Sequence, residues 1–325
     1  MVRPDEGDGD PMSARPIVID TDPGIDDALA IMLAAASPEV DLRGLVAVAG
    51  NVGLPYTSGN AAALADLLRL DIPVGKGASG PLSRRDIDFT PDVHGEDGFA
   101  GHSLPVSTRT FEPGVPLLAR LIEESTDPIT IVPIGPLTNI AMLINEYPET
   151  ARKVERFVIM GGGAFDVLGN VTPVAEFNIW FDPDAAARVF AFGVPITMVG
   201  LNATHQATVA RKHLPRLFAS GGPVAEIVGH LLAGYHNVGV DMEAAMPQHD
   251  SLAVARVIDP DVFTTVPAFV DVENVGRLTS GMTLVDRACE SGEPNCDVAV
   301  KVDVERFRDL LDSRLSALDA SLRQD

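Results

Sequence analysis

The chain has 325 residues, of which 46% are hydrophobic, so it can bury a sizeable core. Its 24 Lys and Arg residues against 46 Asp and Glu residues give a formal net charge of −22. Such a surface repels nucleic acid and anionic membranes, so neither is expected as a partner, whereas a small neutral substrate is compatible with it. Cys289 and Cys296 do not make a disulfide framework and are expected to be free thiols in a reducing compartment.

The ends of the chain differ in composition. Residues 1–14 are acidic, contain Gly and Pro and have few apolar side chains, which predicts a disordered tail. Residues 15–325 show no low-complexity linker and are predicted to form one domain. No apolar run reaches transmembrane length, and no basic region followed by a long apolar one marks a signal peptide. The cytoplasm is therefore the expected location.

Short apolar runs alternate with helical patterns along most of the chain. The predicted strands are 17–19, 44–49, 72–74, 129–134, 156–160, 196–200, 262–270, 281–285 and 297–302. The predicted helices are 26–37, 57–70, 116–125, 135–145, 183–192, 207–241, 251–257 and 304–322. This alternation predicts an α/β fold with a mostly parallel central sheet flanked by helices, and the last strands are expected to pair antiparallel at one edge. The stretches 75–110 and 164–182 are predicted to be irregular walls or lids.

The first predicted strand leads into a concentration of acidic side chains. Asp20, Asp22, Asp26 and Asp27 fall within eight residues, at a strand-to-helix turn that Pro23-Gly24 marks. Carboxylates this close repel one another unless positive charge compensates them. The helix N-terminus supplies part of that charge, and a hard cation such as Ca²⁺ would supply the rest.

A purely structural interpretation of the same aspartates is a strand end followed by ordinary first-turn helix residues. Four of them at one fixed turn instead favour a metal or catalytic role. The segment is not an EF-hand, because Ile25 and Ile31 stand where that loop needs glycine and glutamate.

The other predicted strands also end in turn-forming or polar residues. The second ends near Asn51, a middle strand at Ile134-Gly135, and the next at Met160-Gly161. In open α/β sheets, ligands bind outside the carboxyl ends of the strands. We therefore expect these clusters to face one crevice.

Taken together, these motifs resemble those of the inosine-uridine preferring nucleoside hydrolase family. The residues that carry the resemblance, in family order over roughly residues 16–310, are Asp20-Thr21-Asp22-Pro23-Gly24-Ile25-Asp26-Asp27 (the DxDPGxDD signature), Ala49-Gly50-Asn51, His94-Gly95-Glu96, Gly135-Pro136-Leu137-Thr138-Asn139, Met160-Gly161-Gly162, Ala175-Glu176-Phe177-Asn178 and His249-Asp250. The resemblance implies a single α/β domain, a bound Ca²⁺ and hydrolysis of the N-glycosidic bond of ribonucleosides. It also implies a homodimer or homotetramer.

The resemblance assigns the metal ligands. These would be the carboxylates of Asp22, Asp27 and Asp250 and the main-chain carbonyl of Ile134. Threonine is commoner in the family at the position of Ile134, but a carbonyl ligand does not depend on the side chain. Asp22 would also take the proton of the attacking water, since a bound cation makes that water more acidic.

The substrate contacts are likewise implied by the resemblance. Asp26 and Asn51 would hold the 2′- and 3′-hydroxyls of the ribose. The further contacts would come from Asn170, Glu176 and Asn178, with Met160 and Phe177 lining the pocket. The transition state of such a reaction resembles an oxocarbenium ion, and the expected course is direct displacement by water with inversion.

Histidines are the expected contacts of the departing base. His249 is the leading candidate to protonate it, because an ordinary imidazole pKa suits the task. His94 would be the second base contact, and Tyr235 and His236 stand where family members often place aromatic contacts. This pattern resembles pyrimidine-preferring members, which would act on uridine and cytidine, or non-specific members, which would also act on inosine.

Two other functions are compatible with parts of the sequence. A haloacid dehalogenase-type phosphatase also begins with a strand and a D-x-D motif, although Pro23-Gly24 and the Asp26-Asp27 pair depart from that pattern. A family member that binds a nucleoside or Ca²⁺ without turnover is the second alternative. The presence of every expected carboxylate and of His249 argues against it.

Overall fold

The computed structural model describes residues 14–84, 94–102, 104–236 and 245–323, with the helix backbone alone at 235 and 236. The predicted tail therefore lies outside the described residues except for Ala14. The end of the predicted helical region 207–241, from residue 237, also lies outside them.

One large sheet forms the centre of the molecule. The strands in the described ranges are β1 (Arg15–Thr21), β2 (Val40–Ala47), β3 (Val74–Lys76), β4 (Glu112–Pro113), β5 (Thr130–Pro133), β6 (Arg156–Met160), β7 (Ile196–Val199), β8 (Thr208–Val209), β9 (Met246–Pro247), β10 (Phe263–Val272), β11 (Thr283–Asp286) and β12 (Cys296–Val302). All except β8 and β9 join the sheet, in the order β11-β10-β12-β7-β6-β5-β1-β2-β3-β4. Pairing is parallel from β12 to β4, whereas β10 is antiparallel to both β12 and β11. The predicted parallel sheet with an antiparallel edge is confirmed.

Helices cover both faces of this sheet. The helices in the same ranges are α1 (Ile25–Ala35), α2 (Leu54–Leu67), α3 (Gly114–Glu124), α4 (Thr138–Glu146), α5 (Pro148–Ala151), α6 (Phe177–Phe181), α7 (Pro183–Phe190), α8 (Leu201–Thr204), α9 (Pro215–Ser220), α10 (Pro223–His236), α11 (Asp250–Ile258) and α12 (Val304–Leu322). Successive strand side chains point to opposite faces, so Ile17 and Ile19 belong to the core cluster that includes α1, α2 and α9–α12, whereas Val18 belongs to the one that includes α3, α4 and α7. All three side chains are fully buried.

The short elements β4, α5 and α8 were not predicted, and two longer segments also differ from the predicted elements. The stretch 164–182 contains the short helix α6, which begins because the Glu176 carboxylate accepts hydrogen bonds from the backbone N–H groups of Asn178 and Ile179. The region 207–236 is interrupted by β8 and a 3-10 turn at Arg211–His213 before α9 and α10. Gly221, in a left-handed conformation, ends α9.

The cysteines and the apolar character of the helices were also considered in the sequence. Cys289 and Cys296 are unpaired, as predicted. Among the described residues, no helix combines the length and the apolar character needed to cross a membrane.

Candidate active site

The acidic cluster lies at the carboxyl edge of the sheet, where several parallel strands end together. Asp22 follows β1, Asn51 lies four residues beyond β2, Ile134 follows β5, and Met160 is the last residue of β6. The expected convergence at one crevice is therefore present, because parallel strands place their carboxyl ends on the same side.

The carboxylate of Asp22 is held on one side only. Its Oδ2 accepts a 2.7 Å hydrogen bond from the backbone N–H of Asn51. Its Oδ1 is buried and has no hydrogen-bond partner among the described residues. A Cβ at Gly50 would come within 2.0 Å of Oδ2, and one at Gly135 within 2.5 Å of Oδ1. Two glycines therefore make the space in which this carboxylate fits, and its buried Oδ1 is suited to a positively charged ligand.

The carboxylate of Asp27 organises the loop itself. It accepts hydrogen bonds from the Thr21 hydroxyl at 2.5 Å, from the Gly24 N–H at 2.9 Å and from the Asn51 side-chain amide at 3.1 Å. The Asn51 amide also donates to the carbonyl of Asp22 at 3.1 Å. Asn51 therefore binds the acidic loop through both its backbone and its side chain.

Three buried carboxylates approach one another closely enough to hold a cation. One oxygen from each of Asp26, Asp27 and Asp250 lies within 4.8 Å of the others. Burial raises the pKa of Asp22, Asp26, Asp27 and Asp250, that of Asp26 to about 7, and the neighbouring carboxylates raise it further in Asp22, Asp26 and Asp250. An all-oxygen donor set of this charge fits a hard divalent cation such as Ca²⁺.

The donor set overlaps with, but does not equal, the ligands that the resemblance implied. The close group includes Asp26, which was expected to contact ribose, and it does not include Asp22. Asp22 fits a ligand on a separate ground, because its buried Oδ1 has no partner among the described residues. The carbonyl of Ile134 accepts one hydrogen bond, at 2.9 Å from the Asn178 amide. A carbonyl oxygen has two lone pairs, so this bond leaves one for a cation.

A cavity of about 450 Å³ opens directly above the carboxylates. Apart from Tyr235 and His236, whose side chains are not described, every residue that the sequence predicted for the site lines it except Asp27, which is fully buried. The lining contains no Lys or Arg among the described residues, so no protein cation neutralises the acids there. Its volume is in the usual range for small-molecule sites.

The residues expected to bind ribose are already fixed by hydrogen bonds. Glu176 accepts from the Gly162 N–H at 2.9 Å and from the Asn178 N–H at 3.0 Å, and burial raises the pKa of Glu176 to about 7. Besides its bond to Ile134, the Asn178 amide donates to the Met160 carbonyl at 3.2 Å. Asn170 Oδ1 accepts from the Phe177 N–H at 3.0 Å. The polar side of the cavity is therefore pre-organised.

Two predicted histidines lie on the cavity wall in defined orientations. Nδ1 of His94 accepts a 3.1 Å hydrogen bond from the Ile25 N–H, so the proton of the neutral ring is on Nε2. Nδ1 of His249 lies 2.8 Å from the Thr204 hydroxyl oxygen. Burial lowers the pKa of His94 to about 4 and that of His249 to about 3, and His205 and His94 add to the latter effect. Both rings are therefore neutral near pH 7, which differs from the ordinary imidazole pKa expected for His249.

Three lining residues were not predicted from the sequence: Val171, His205 and Pro247. The His205 ring meets His249 edge-on, with ring centroids 5.9 Å apart. His205 comes directly after α8, the turn that follows the end of β7, so the rule that strand ends face the crevice would have found it. The side chains of Tyr235 and His236 lie outside the described part of the chain.

Comparison with known proteins defines the class of this site. The model of the inosine-uridine preferring nucleoside hydrolase family matches residues 17–309. The chain belongs to this family and is an N-glycosyl hydrolase of ribonucleosides. The phosphatase alternative is therefore wrong, since the D-x-D motif belongs to the nucleoside hydrolase signature.

Individual relatives match over nearly their whole lengths. The chain is 44% identical over 309 residues to the pyrimidine-specific ribonucleoside hydrolase RihA of Salmonella typhimurium, covering 93% of this chain and 98% of that one. It is 45% identical over 311 residues to the protein of the same name from Escherichia coli, with the same coverage.

Solved structures give the same fold. A purine-preferring ribonucleoside hydrolase from Gardnerella vaginalis matches with a TM-score of 0.87 and 32% identity, covering 94% of this chain and 99% of that one. A plant nucleoside hydrolase matches with a TM-score of 0.84 and 37% identity, covering 93% and 99%.

Proposed function

We propose that this enzyme is a Ca²⁺-dependent ribonucleoside hydrolase that prefers uridine and cytidine and accepts inosine less well. The observation that carries the proposal is the Asp22 carboxylate, which lines the cavity with Asp26 and Asp250. Its buried Oδ1 has no hydrogen-bond partner among the described residues, and Asp26, Asp27 and Asp250 cluster closely enough to hold a cation. A nucleoside bound above them would place its ribose against the polar wall and its base against the histidines.

The cation would be held by oxygen ligands alone. The proposed ligands are the carboxylates of Asp22, Asp27 and Asp250 and the carbonyl of Ile134. When bound, Ca²⁺ would increase the acidity of the attacking water and compensate the charge of the aspartates.

The residues of the chain would carry the remaining steps. Asp22 would take the proton from water as the water attacks the anomeric carbon. The ribose contacts would come from Asp26, Asn51, Asn170, Glu176 and Asn178, with Met160 and Phe177 lining the pocket. Their fixed hydrogen bonds would orient the sugar and stabilise the oxocarbenium-like transition state without reorganisation.

The departing base would be stabilised by imidazole N–H groups. His249 would donate to the base as the N-glycosidic bond breaks, and His94 would make the second contact through its Nε2–H. A neutral imidazole donates one hydrogen bond from its protonated nitrogen, so the low pKa of His249 in the free site is compatible with this role.

The base preference rests on two observations. The relatives at 44% and 45% identity are named as pyrimidine-specific, whereas the solved structure named as purine-preferring is 32% identical. The part of the wall formed by His94, His205 and His249 offers imidazole groups, which can donate hydrogen bonds to the carbonyl oxygens of uracil and cytosine.

The proposal also covers the cellular location and the oligomeric state of the enzyme. Two unpaired cysteines are typical of a reducing compartment, which supports the cytoplasm. The family resemblance supports a homodimer or homotetramer, which light scattering of the purified protein would measure.

The first experiment measures free ribose released from uridine, cytidine, inosine and adenosine, before and after removal of Ca²⁺ by a chelator. Ribose release that ranks uridine and cytidine first and disappears with the metal supports the proposal. Faster release from inosine or adenosine would contradict the base preference, and full activity after complete metal removal would contradict the role of Ca²⁺.

A further inference from the structure

Thr204, a side chain outside the cavity lining, contacts the imidazole of His249, which lines the cavity. Thr204 is the last residue of α8 and is fully buried. Its hydroxyl oxygen lies 2.8 Å from Nδ1 of His249, which is 45 residues later in the chain. Among the described residues, Thr204 alone hydrogen-bonds to the His249 ring.

Both partners of this contact are held in place by backbone hydrogen bonds. The Thr204 N–H donates to the Gly200 carbonyl at 3.1 Å, and the Thr204 carbonyl accepts from the Ala207 N–H at 3.0 Å. The Gln248 N–H donates to the Ala207 carbonyl at 2.9 Å. The strands β8 and β9 then pair antiparallel. The two segments are therefore joined independently of the His249 side chain.

The contact fixes which nitrogen of the ring is available to a ligand. Nδ1 is used by Thr204, so the free nitrogen is Nε2, on the opposite edge of the imidazole, and the His249 side chain lines the cavity. The His205 ring, edge-on at 5.9 Å with an interplanar angle of 63°, limits rotation of His249 from another side.

We propose that Thr204 is a positioning residue, which holds His249 so that Nε2 points at the departing base. This inference rests on the proposed function for the identity of the ligand. A hydroxyl suits the task because it both donates and accepts, so it can bond Nδ1 whether or not that nitrogen carries a proton. The bond therefore persists while Nε2 donates to the base, and the ring keeps its orientation throughout the reaction.

The test compares Thr204→Val with Thr204→Ser in the full-length enzyme loaded with Ca²⁺. Valine keeps the shape of threonine without the hydroxyl, and serine keeps the hydroxyl. We expect Thr204→Val to lower kcat on uridine by about 10- to 100-fold with little change in KM. The reason is that displacing a hydrogen-bond donor by about 1 Å can lower the rate of the chemical step by about 100-fold. Thr204→Ser should stay within about threefold of the wild type, since it retains the donor and acceptor.

A substrate with an activated leaving group separates positioning from general damage. 4-Nitrophenyl riboside releases a stable phenolate that needs little help from an imidazole. Thr204→Val should therefore hydrolyse it at nearly the wild-type rate. Equal losses on both substrates, or no loss on uridine, would overturn the proposal.

An NMR measurement tests the Thr204–His249 contact independently of the proposed substrate. In ¹⁵N-histidine-labelled protein, with His249 assigned through His249→Ala, the Nδ1 shift should change in Thr204→Val and not in Thr204→Ser. An unchanged shift in Thr204→Val would refute the contact even if uridine is hydrolysed. A wild-type enzyme that releases no ribose would refute the proposed substrate while the shift still decides the role of Thr204.

Discussion

The backbone N–H of Asn51 donates a 2.7 Å hydrogen bond to Oδ2 of Asp22, whereas Oδ1 of the same carboxylate is buried without a partner in the described chain. One oxygen is thus fixed by the protein, and the carboxylate as a whole lines the cavity. The strand β1 and the loop after β2 share this contact, because β1 and β2 are adjacent and parallel.

Replacing the carboxylate with an amide tests its chemical role. Asp22→Asn keeps the shape of the side chain but removes the charge and the base, so we expect kcat on uridine to fall by at least about 100-fold. The measurement is ribose release at saturating uridine and Ca²⁺. Wild-type turnover in this variant would exclude Asp22 as the base and as an essential ligand.

The glycine beside Asp22 should be intolerant of any side chain. A Cβ at Gly50 would lie 2.0 Å from Oδ2 of Asp22 and 2.8 Å from Cδ of Pro136, so Gly50→Ala must displace the carboxylate or the loop. We expect kcat to fall by more than about tenfold and Ca²⁺ to bind more weakly, since a displacement of about 1 Å is costly in an active site. Kinetics and calorimetric titration with Ca²⁺ measure the two effects.

A second glycine serves as the matched control. Gly59 lies within α2, and a Cβ there meets nothing within 4 Å. Gly59→Ala should leave kcat unchanged and raise the free energy of unfolding by up to about 1 kcal/mol, because alanine favours helices. Similar kinetics for the Gly50 and Gly59 variants would argue against a tight space around Asp22.

Metal-free protein should lose stability as the pH rises. Burial raises the pKa of Asp20 to about 8 and those of Asp26 and Glu176 to about 7, and the charge of Asp27 also contributes to the shift of Asp26. Between pH 4 and these values the folded state holds protons that the unfolded chain has released. The free energy of unfolding therefore falls from about pH 5 to pH 8.

Added Ca²⁺ should offset this loss, because a cation favours the ionised carboxylates. The rise in Tm on adding Ca²⁺ is then larger at pH 8 than at pH 5.5. Thermal unfolding of chelator-treated protein, with and without Ca²⁺, measures it. A rise that is equal at both pH values, or larger at pH 5.5, would show that these aspartates are not the site.

A buried carboxylate far from the cavity should matter for stability alone. Asp319 of α12 accepts hydrogen bonds at the start of α10 from the N–H groups of Gly222, Val224 and Ala225, at 2.9, 2.8 and 3.1 Å. Asp319→Ala leaves these buried donors without a partner, so we expect a loss of about 3 kcal/mol in the free energy of unfolding. Urea unfolding measures it, and kcat at 25 °C should not change. A loss below about 0.5 kcal/mol would contradict this role.

The sequence contains most of the information about the sheet and the acidic loop. Apolar runs such as Ile17–Ile19 and the turn residues Pro23-Gly24 are local signals, and the order of strands and helices follows from their alternation. The structure differs from the sequence-based prediction where the local sequence pattern is ambiguous. The helix α6 is too short for a periodic signal and depends on the Glu176 cap, and the breaks in 207–236 depend on pairing between β8 and β9.

Most residues of the candidate site were likewise predictable from the sequence, whereas their contacts were not. The sequence by itself determined which acids, amides and histidines are concentrated at strand ends, because residue type and spacing are local properties. Only the tertiary structure decided that Asp27 does not line the cavity, that His205 joins the cavity, and that Thr204 contacts His249. It also decided the low pKa of His249, because burial depends on segments distant in sequence. Contacts and desolvation arise when the chain packs, and no pattern along the chain records them.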